Sequence, residues 1–425
     1  MSEATKDHPS GEHRVPAVVT PLDEHMGLDI ARALGKRGIP VYGVDSDRST
    51  PGRHSRYVRF VHGPDPHEGE TEFVHFLQEL GGQLGERAVL YPLSDRHVLI
   101  VSRHRAALQE FYEFVMPDHE MMERLTTKDG LQSVALETGI RSPQTLHVLD
   151  NARGYSGNTI VDIAERVTYP VILKPVESTY WHKPEIASQL RRGLLSGRAK
   201  VVRCETAAEL EQAYNRIAVH DNRLVVQEVV PGEDDRLVYF SFYFDRKSKP
   251  LGIFAGRKHR VIPTGFGSAS YVRSFYDEEL KNTAFRFLQS VGYQGLGGLE
   301  FKRDPRSGEY QLIEFNTRFG MWDGLGARCG VDLAYIAYRD ALRLPVEQVC
   351  DYREGVIWVD WQRDLRAAIE YRRKGELTFG EWLRSLRGEK MWAIYSRDDW
   401  RPGVAFTVGL GKTLWHRLRG KGGTH

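Results

Sequence analysis

A chain of 425 residues, 41% hydrophobic and 27% charged, has the composition of a globular protein and is long enough for two or three domains. A formal net charge of only +2 sets up no global field toward nucleic acid. Three widely spaced cysteines (Cys204, Cys329, Cys350) form neither a CxxC pair nor a metal-ligand spacing, which points to a reducing cytoplasm; no apolar run reaches the roughly 18 residues of a membrane span.

Residues 1–14 are polar, lack the apolar core of a signal peptide and are expected to be a disordered tail. Ala17 to Thr20 predicts a short strand. Gly27 to Arg37 predicts a helix with Ile30, Ala33 and Leu34 on one face, ended by Gly38, and Ile39 to Asp45 a second strand. A strand–helix–strand unit predicts a parallel sheet. With a helix over Phe73 to Leu84 and a strand over Ala88 to Leu93, residues 15–115 are expected to form an open α/β domain. Residues 116–345 are expected to form a second domain of α+β character. It starts with one helical stretch from about 119 that contains Lys128. Strands follow at Val171 to Lys174, Leu224 to Glu228, Leu237 to Phe244, Leu296 to Lys302 and Tyr310 to Asn316. Residues 346–425 are rich in Arg, Trp and Glu and are expected to be a helical extension, with helices over Leu365 to Lys374 and Phe379 to Leu386.

The most informative segment pairs Gly297-Gly298-Leu299-Glu300 with Ile313-Glu314-Phe315-Asn316-Thr317-Arg318. A hairpin centred near Ser307 sets Glu300 opposite Glu314, and period-two alternation puts Glu314, Asn316 and Arg318 on one face. Opposed carboxylates repel unless a cation lies between them. Two glutamates and an asparagine offer the hard oxygen ligands that suit Mg²⁺, which also takes phosphate oxygens. Arg318 would then lie beside a transferring phosphoryl group.

Lys174 sits inside an apolar strand, where a lysine is costly without an anionic partner such as a phosphate. Gln227-Glu228-Val229-Val230-Pro231-Gly232 reads as a strand entering an interdomain hinge. Its backbone could face adenine, Val229 and Val230 could pack beside the ring, and Asp235 could accept ribose hydroxyls. Arg257, Lys258 and Arg260 crowd one short segment and suit a triphosphate or a substrate carboxylate. Asp95 and Arg96 follow a strand end, where ligands often sit in open α/β sheets. Neither a GxxxxGK[ST] loop nor a GxGxxG loop is present.

Taken in order, these residues resemble the ATP-grasp superfamily over about 15–345, and more narrowly the carboxylate–amine ligases whose relatives include D-aspartate ligase. The resemblance implies an ATP-grasp fold preceded by an N-terminal open α/β domain. It identifies Lys128 and Lys174 as nucleotide-binding lysines and Glu228 to Gly232 as the adenine hinge. It makes Glu300, Glu314 and Asn316 the metal ligands, followed by Arg318. It further implies ATP, two Mg²⁺ ions for which Mn²⁺ can substitute, and γ-phosphoryl transfer to a carboxylate, whose acyl phosphate is attacked by an amine. The partners implied are a small-molecule carboxylate and amine, with amino acids or a cell-envelope precursor as candidates, and an oligomer is compatible with the pattern. The chain departs from the family pattern at Glu177 to Lys183, where many members carry a glycine-rich phosphate loop, and at Thr317 in place of a proline. Two other readings compete: a biotin-carboxylase-like or carbamoyl-phosphate-type enzyme that activates bicarbonate, and a nucleotide-binding module without turnover. In the basic segment Leu410 to Gly420, packing of Leu414 and Leu418 on the body is favoured over weak contact with an anionic membrane surface.

Overall fold

A computed structural model describes residues 14–148, 158–176, 201–220 and 222–420, with side chains as far as 412. The first unit contains β1 (Ala17–Thr20), α1 (Met26–Gly35), β2 (Val41–Asp45), β3 (Val58–His62), α2 (Glu70–Leu84), β4 (Ala88–Pro92), α3 (Asp95–Arg103), α4 (Arg105–Leu108) and β5 (Tyr112–Glu113). Its five strands are parallel in the order β3-β2-β1-β4-β5. Burial follows the strand period: Ala17 and Val19 face one core, while Val18 faces another with Phe73 and Leu77 of α2. The chain reverses direction across the sheet between β1 and β4. Loops at the carboxyl ends of those strands therefore border a crevice, the usual ligand position in such sheets.

The expected single helix from 119 is two helices, α5 (His119–Thr126) and α6 (Lys128–Thr138). Thr127 is extended between them, so Lys128 begins a helix instead of lying within one. A four-stranded sheet follows, built from β6 (Thr145–His147), β7 (Val171–Pro175), β8 (Val202–Cys204) and β9 (Leu224–Glu228) in the order β6-β9-β7-β8. Between its strands lie α7 (Ile160–Arg166) and α8 (Ala207–Ala218). Val171, Leu173, Leu224 and Val226 pack on Ile163 of α7 and on Leu210 and Ile217 of α8. Ile172 and Lys174, paired with Gln227 and Val225, necessarily point the other way.

The largest sheet gathers β10 (Leu237–Phe244), β11 (Pro250–Ile262), β12 (Ser268–Ser274), β13 (Gly295–Arg303) and β14 (Tyr310–Asn316). Phe240, Phe242 and Phe244 pack under α9 (Glu278–Ser290), with Leu280, Ala284, Phe287 and Leu288 opposite. The alternate residues Tyr239, Ser241 and Tyr243 face α10 (Gly324–Cys329), α11 (Leu333–Ala341) and the first unit, so all eight residues of β10 are buried.

The C-terminal segment is helical where expected, with α12 (Trp361–Arg373) and α13 (Phe379–Ser385), and it also supplies strands. Its β15 (Ile357–Val359) adds to β12, and β16 (Lys390–Trp392) adds to β15, completing the order β14-β13-β10-β11-β12-β15-β16. It also grips the first unit: Arg32 Nε donates to Asp399 Oδ2 at 3.0 Å, and Ser55 Oγ donates to the same oxygen at 2.8 Å. The last helix, α14 (Arg401–Gly420), buries Pro402 and Gly403 and leaves Val404 and Val408 exposed. The side chains of Leu414 and Leu418 lie outside the described residues. No described helix is long and apolar enough to cross a membrane. Cys204 and Cys329 are buried and Cys350 is partly buried, and none of them forms a disulfide among the described residues.

Candidate active site

The hairpin register sets Glu300 opposite Glu314 and Gly298 opposite Asn316, so all three expected metal ligands share one face. A lysine from elsewhere meets each carboxylate. Lys258 Nζ of β11 donates to Glu300 Oε2 at 2.5 Å, and Lys128 Nζ of α6 donates to Glu314 Oε1. Burial works to lower the Lys128 pKa, but the Glu314 carboxylate outweighs it and the net shift is upward. Among the described residues no three His, Cys, Asp or Glu side chains converge as a metal cluster. The donors available are two carboxylates and one amide oxygen, which fits a Mg²⁺ that completes its shell with phosphate and water oxygens.

Lys174 extends from β7 on the face away from the apolar core. Only 7% exposed, it donates to Gln227 Oε1 at 2.8 Å, while Gln227 Nε2 donates to Thr145 Oγ1 at 2.7 Å. Burial and the neighbouring Lys128 charge lower its pKa to about 7, and Glu314 and Glu300 pull weakly the other way. Lys128, Lys174, Lys258, Glu300 and Glu314 therefore form one electrostatic group.

The hinge residues divide. Gln227 is turned inward to Lys174. The Glu228 carboxylate accepts from Thr168 N at 3.2 Å, and Val229 N donates to Pro170 O at 3.1 Å. Val230 is buried, whereas Asp235 is exposed on the short turn Asp234–Arg236. Its neighbour Asp234 is the buried one, accepting from Gly265 N at 3.0 Å and from the Tyr371 hydroxyl.

The expected trio of cations on β11 does not converge. Lys258 pairs with Val272 but Arg260 pairs with Tyr271, which leaves His259 as an extra residue. Such a bulge reverses the side-chain alternation beyond it. Arg260 is thereby turned from Glu300 to Asp364 of α12, with Nε–Oδ1 at 2.7 Å and Nη2–Oδ2 at 2.8 Å, and its guanidinium lies 4.1 Å from the Tyr271 ring centre. Arg257, one residue before Lys258, lies over Phe275 at 4.7 Å. Arg260 is thus committed to Asp364, Arg257 stacks on Phe275 with its buried Nε unpartnered among the described residues, and of the three Lys258 is the one that reaches the hairpin carboxylates.

Arg318 follows the hairpin and spans to the first unit, where its Nε donates to Asp95 Oδ1 at 2.8 Å. Burial opposes its charge, but Asp95 more than compensates and raises its pKa. Asp95 lies just beyond the carboxyl end of β4, so through its contact with Arg318 the crevice of the first sheet adjoins the carboxylate face of the largest one. Arg96 turns away to Glu70 at 3.0 Å. Glu177 to Lys183 lie outside the described residues. Two buried groups near Arg318 escaped sequence reasoning. Tyr239 stands opposite Glu300 on β10, and Asp323 accepts from Ser241 Oγ at 2.6 Å and Gly320 N at 2.6 Å. Burial raises Asp323 to about 6 against those hydrogen bonds. The glycine at 298, beside an aromatic strand, was the available signal for Tyr239.

A family model described as the carbamoyl-phosphate synthase L chain ATP-binding domain matches residues 269–349. D-aspartate ligase of Enterococcus faecium (strain Aus0004) is 26% identical over 303 residues, covering 69% of this chain and 69% of that protein. The crystal structure of L-amino acid ligase from Bacillus licheniformis superposes with a TM-score of 0.55 at 16% identity, over 80% of this chain and 76% of that one. A biotin carboxylase–β,γ-ATP complex from Campylobacter jejuni superposes with a TM-score of 0.59 at 16% identity, over 80% and 74% of the two chains. The protein has the ATP-grasp fold. Within that class it resembles the carboxylate–amine ligases, with D-aspartate ligase among its relatives.

Proposed function

We propose that the protein is an ATP-dependent ligase that activates a carboxylate as an acyl phosphate and joins it to an amine, releasing ADP and phosphate. The observation that carries this reading is the convergence of Lys128, Lys174 and Lys258 on the hairpin face that bears Glu300, Glu314 and Asn316, beside Arg318. Lys174 and Lys128 are assigned to the nucleotide phosphates, because the first is a buried and the second a half-buried ammonium whose present partner is a protein oxygen that a phosphate could replace. Val229, Val230 and the backbone of Gln227 and Glu228 are assigned to adenine, and Asp235 to the ribose. Glu300, Glu314 and Asn316 would hold Mg²⁺, two ions with Mn²⁺ able to substitute; when bound, the metal neutralises charge on the transferring phosphoryl group. Lys258 and Arg318 are assigned to the reacting oxygens, Arg318 being fixed by Asp95 at the mouth of the crevice.

Residues 15–115 act as the domain that carries the substrate crevice, 116–345 as the nucleotide-binding domain, and 346–425 as an extension that ties the two together. The substrates are amino acids or related small carboxylates and amines, since the relatives are named for D-aspartate and L-amino acid ligation. Three cysteines without a disulfide among the described residues favour a reducing cytoplasm as the place of action. Pools of amino acids assayed for ADP release, with mass analysis of the products, test the proposal. A new amide product supports it. ADP release that requires bicarbonate alone would transfer the reading to a bicarbonate-activating enzyme, and nucleotide binding without turnover in any pool would leave a binding module.

A further inference from the structure

Tyr239, opposite Glu300 on β10, has no role among those assigned under the ligase reading. Its neighbours on β10 at alternate positions, Phe240, Phe242 and Phe244, face the helix-covered core, whereas Tyr239 faces the hairpin carboxylates. The ring is 95% buried and packs edge-on to Trp322 with centroids 5.2 Å apart. Its hydroxyl is buried and has no hydrogen-bond partner among the described residues. An unsatisfied buried hydroxyl is costly, and a phenylalanine would fill the same space without that cost.

The backbone is shaped to admit this hydroxyl. Any Cβ at Gly298 would collide with Tyr239 Oη and with the end of its ring. Gly298 has no left-handed backbone that would demand glycine, so the requirement is steric. Gly298 pairs with Asn316, and on the same face the next pair is Glu300 with Glu314. The hydroxyl therefore lies beside the proposed metal ligands. Its electrostatic neighbours are Arg318, Glu300, Glu314 and Asp323. A neutral donor there suits a ligand whose oxygens gain negative charge during reaction.

We propose that Tyr239 is a catalytic residue whose hydroxyl donates a hydrogen bond to an oxygen of the phosphoryl group as it passes from ATP to the carboxylate. In that step the bond from γ-phosphorus to the β,γ-bridging oxygen breaks, its electron pair leaving with ADP. A bond from a carboxylate oxygen to the same phosphorus forms. The phenolic proton stays on Tyr239, so the residue stabilises charge without transferring a proton. This assignment rests on the ATP-dependent reading of the site.

The test compares wild type with Tyr239→Phe in two titrations by calorimetry: MgADP alone, and MgADP with aluminium fluoride as a mimic of the phosphoryl in flight. The expected result is unchanged MgADP affinity with about tenfold weaker binding of the aluminium fluoride complex, the loss of one hydrogen bond to a charged group. Turnover should fall by at least the same factor with the nucleotide KM unchanged. Equal affinity of both proteins for the aluminium fluoride complex, accompanied by a higher melting temperature in the variant, overturns the assignment and leaves the ligase reading standing. Failure of wild type to bind MgADP overturns the nucleotide site and this assignment with it.

Discussion

The two sheets that flank the site treat their lysines in opposite ways. On the four-stranded sheet, Lys174 is buried against a neutral amide, Gln227, and its pKa falls to about 7. On the larger sheet, the carboxylates Glu300 and Glu314 take Lys258 and Lys128 as counter-ions, and Lys128 is pushed upward. The same side chain is therefore a proton-sensitive group in one place and a fixed cation a short distance away. The difference comes from the partner, because burial penalises every ammonium and only a carboxylate repays that penalty. Lys174 is the lysine with most to gain from an arriving phosphate, and Lys128 and Lys258 must exchange one anion for another.

The largest effect is expected at a residue that this comparison excludes from the site. Replacing Arg260 with methionine should leave Asp364 as an uncompensated buried charge and cost about 3–5 kcal/mol of stability, measured by denaturant unfolding. Because Arg260 is turned away from the hairpin, the folded variant should keep its nucleotide affinity. A stable variant that binds MgATP poorly would return Arg260 to the site.

Next come the carboxylate-side substitutions. Glu314→Gln and Asn316→Ala should each lower Mg²⁺-dependent turnover about 100-fold or more with the melting temperature within a few degrees of wild type. Near-normal turnover at limiting Mg²⁺ in either well-folded variant would remove that residue from the metal set.

Lys174 sharpens the comparison through pH. A phosphate partner stabilises the charged ammonium, so nucleotide binding should draw in a proton once the pH exceeds about 7. MgATP affinity should then fall with rising pH above 7, by at most about tenfold per unit. Lys174→Met should weaken binding about tenfold and abolish that slope, while Lys128→Met should weaken binding and keep it. Calorimetry in buffers of different ionisation enthalpy reads the proton directly. A flat pH profile in wild type would mean that Lys174 does not meet the phosphates. The same lowered pKa has a consequence for folding. Below the unfolded lysine value of about 10.4 the native state holds fewer protons at this site, so its contribution to stability rises with pH from about 7 to 10.

The smallest effect concerns α14. Its exposed Val404 and Val408 precede a basic stretch, yet Pro402 and Gly403 hold the start of the helix on the body. Truncation after Val408 should destabilise the protein slightly and leave co-sedimentation with anionic vesicles unchanged. Salt-sensitive vesicle binding that disappears on truncation would show a membrane-facing role instead.

Much of the fold was legible locally. Gly139 caps α6 in a left-handed conformation and a left-handed Gly38 follows the end of α1, and the strands expected from apolar runs, β1, β2, β4, β7, β9, β10, β13 and β14, are all present. The break at Thr127 was not legible, since both flanking segments favour helix; Thr127 is extended between them and its hydroxyl donates back to Glu123 O at 3.0 Å. The two strands in the C-terminal segment were missed because Ile357–Val359 and Lys390–Trp392 are three residues each, too short to show a period.

By itself, the sequence determined the carboxylate face. A turn near Ser307 and a period of two suffice to set Glu300 against Glu314 with Asn316 beside them, because strand alternation is a property of adjacent residues. Tertiary structure alone decided how the charges were partnered. Lys128 reaches Glu314 across 186 residues of chain, and Arg318 reaches Asp95 across 223. One extra residue at His259 sends Arg260 to Asp364 rather than to the hairpin. Ion pairs form only between groups brought within a few ångströms, and that proximity is set by how distant elements pack, which no local pattern of residues encodes.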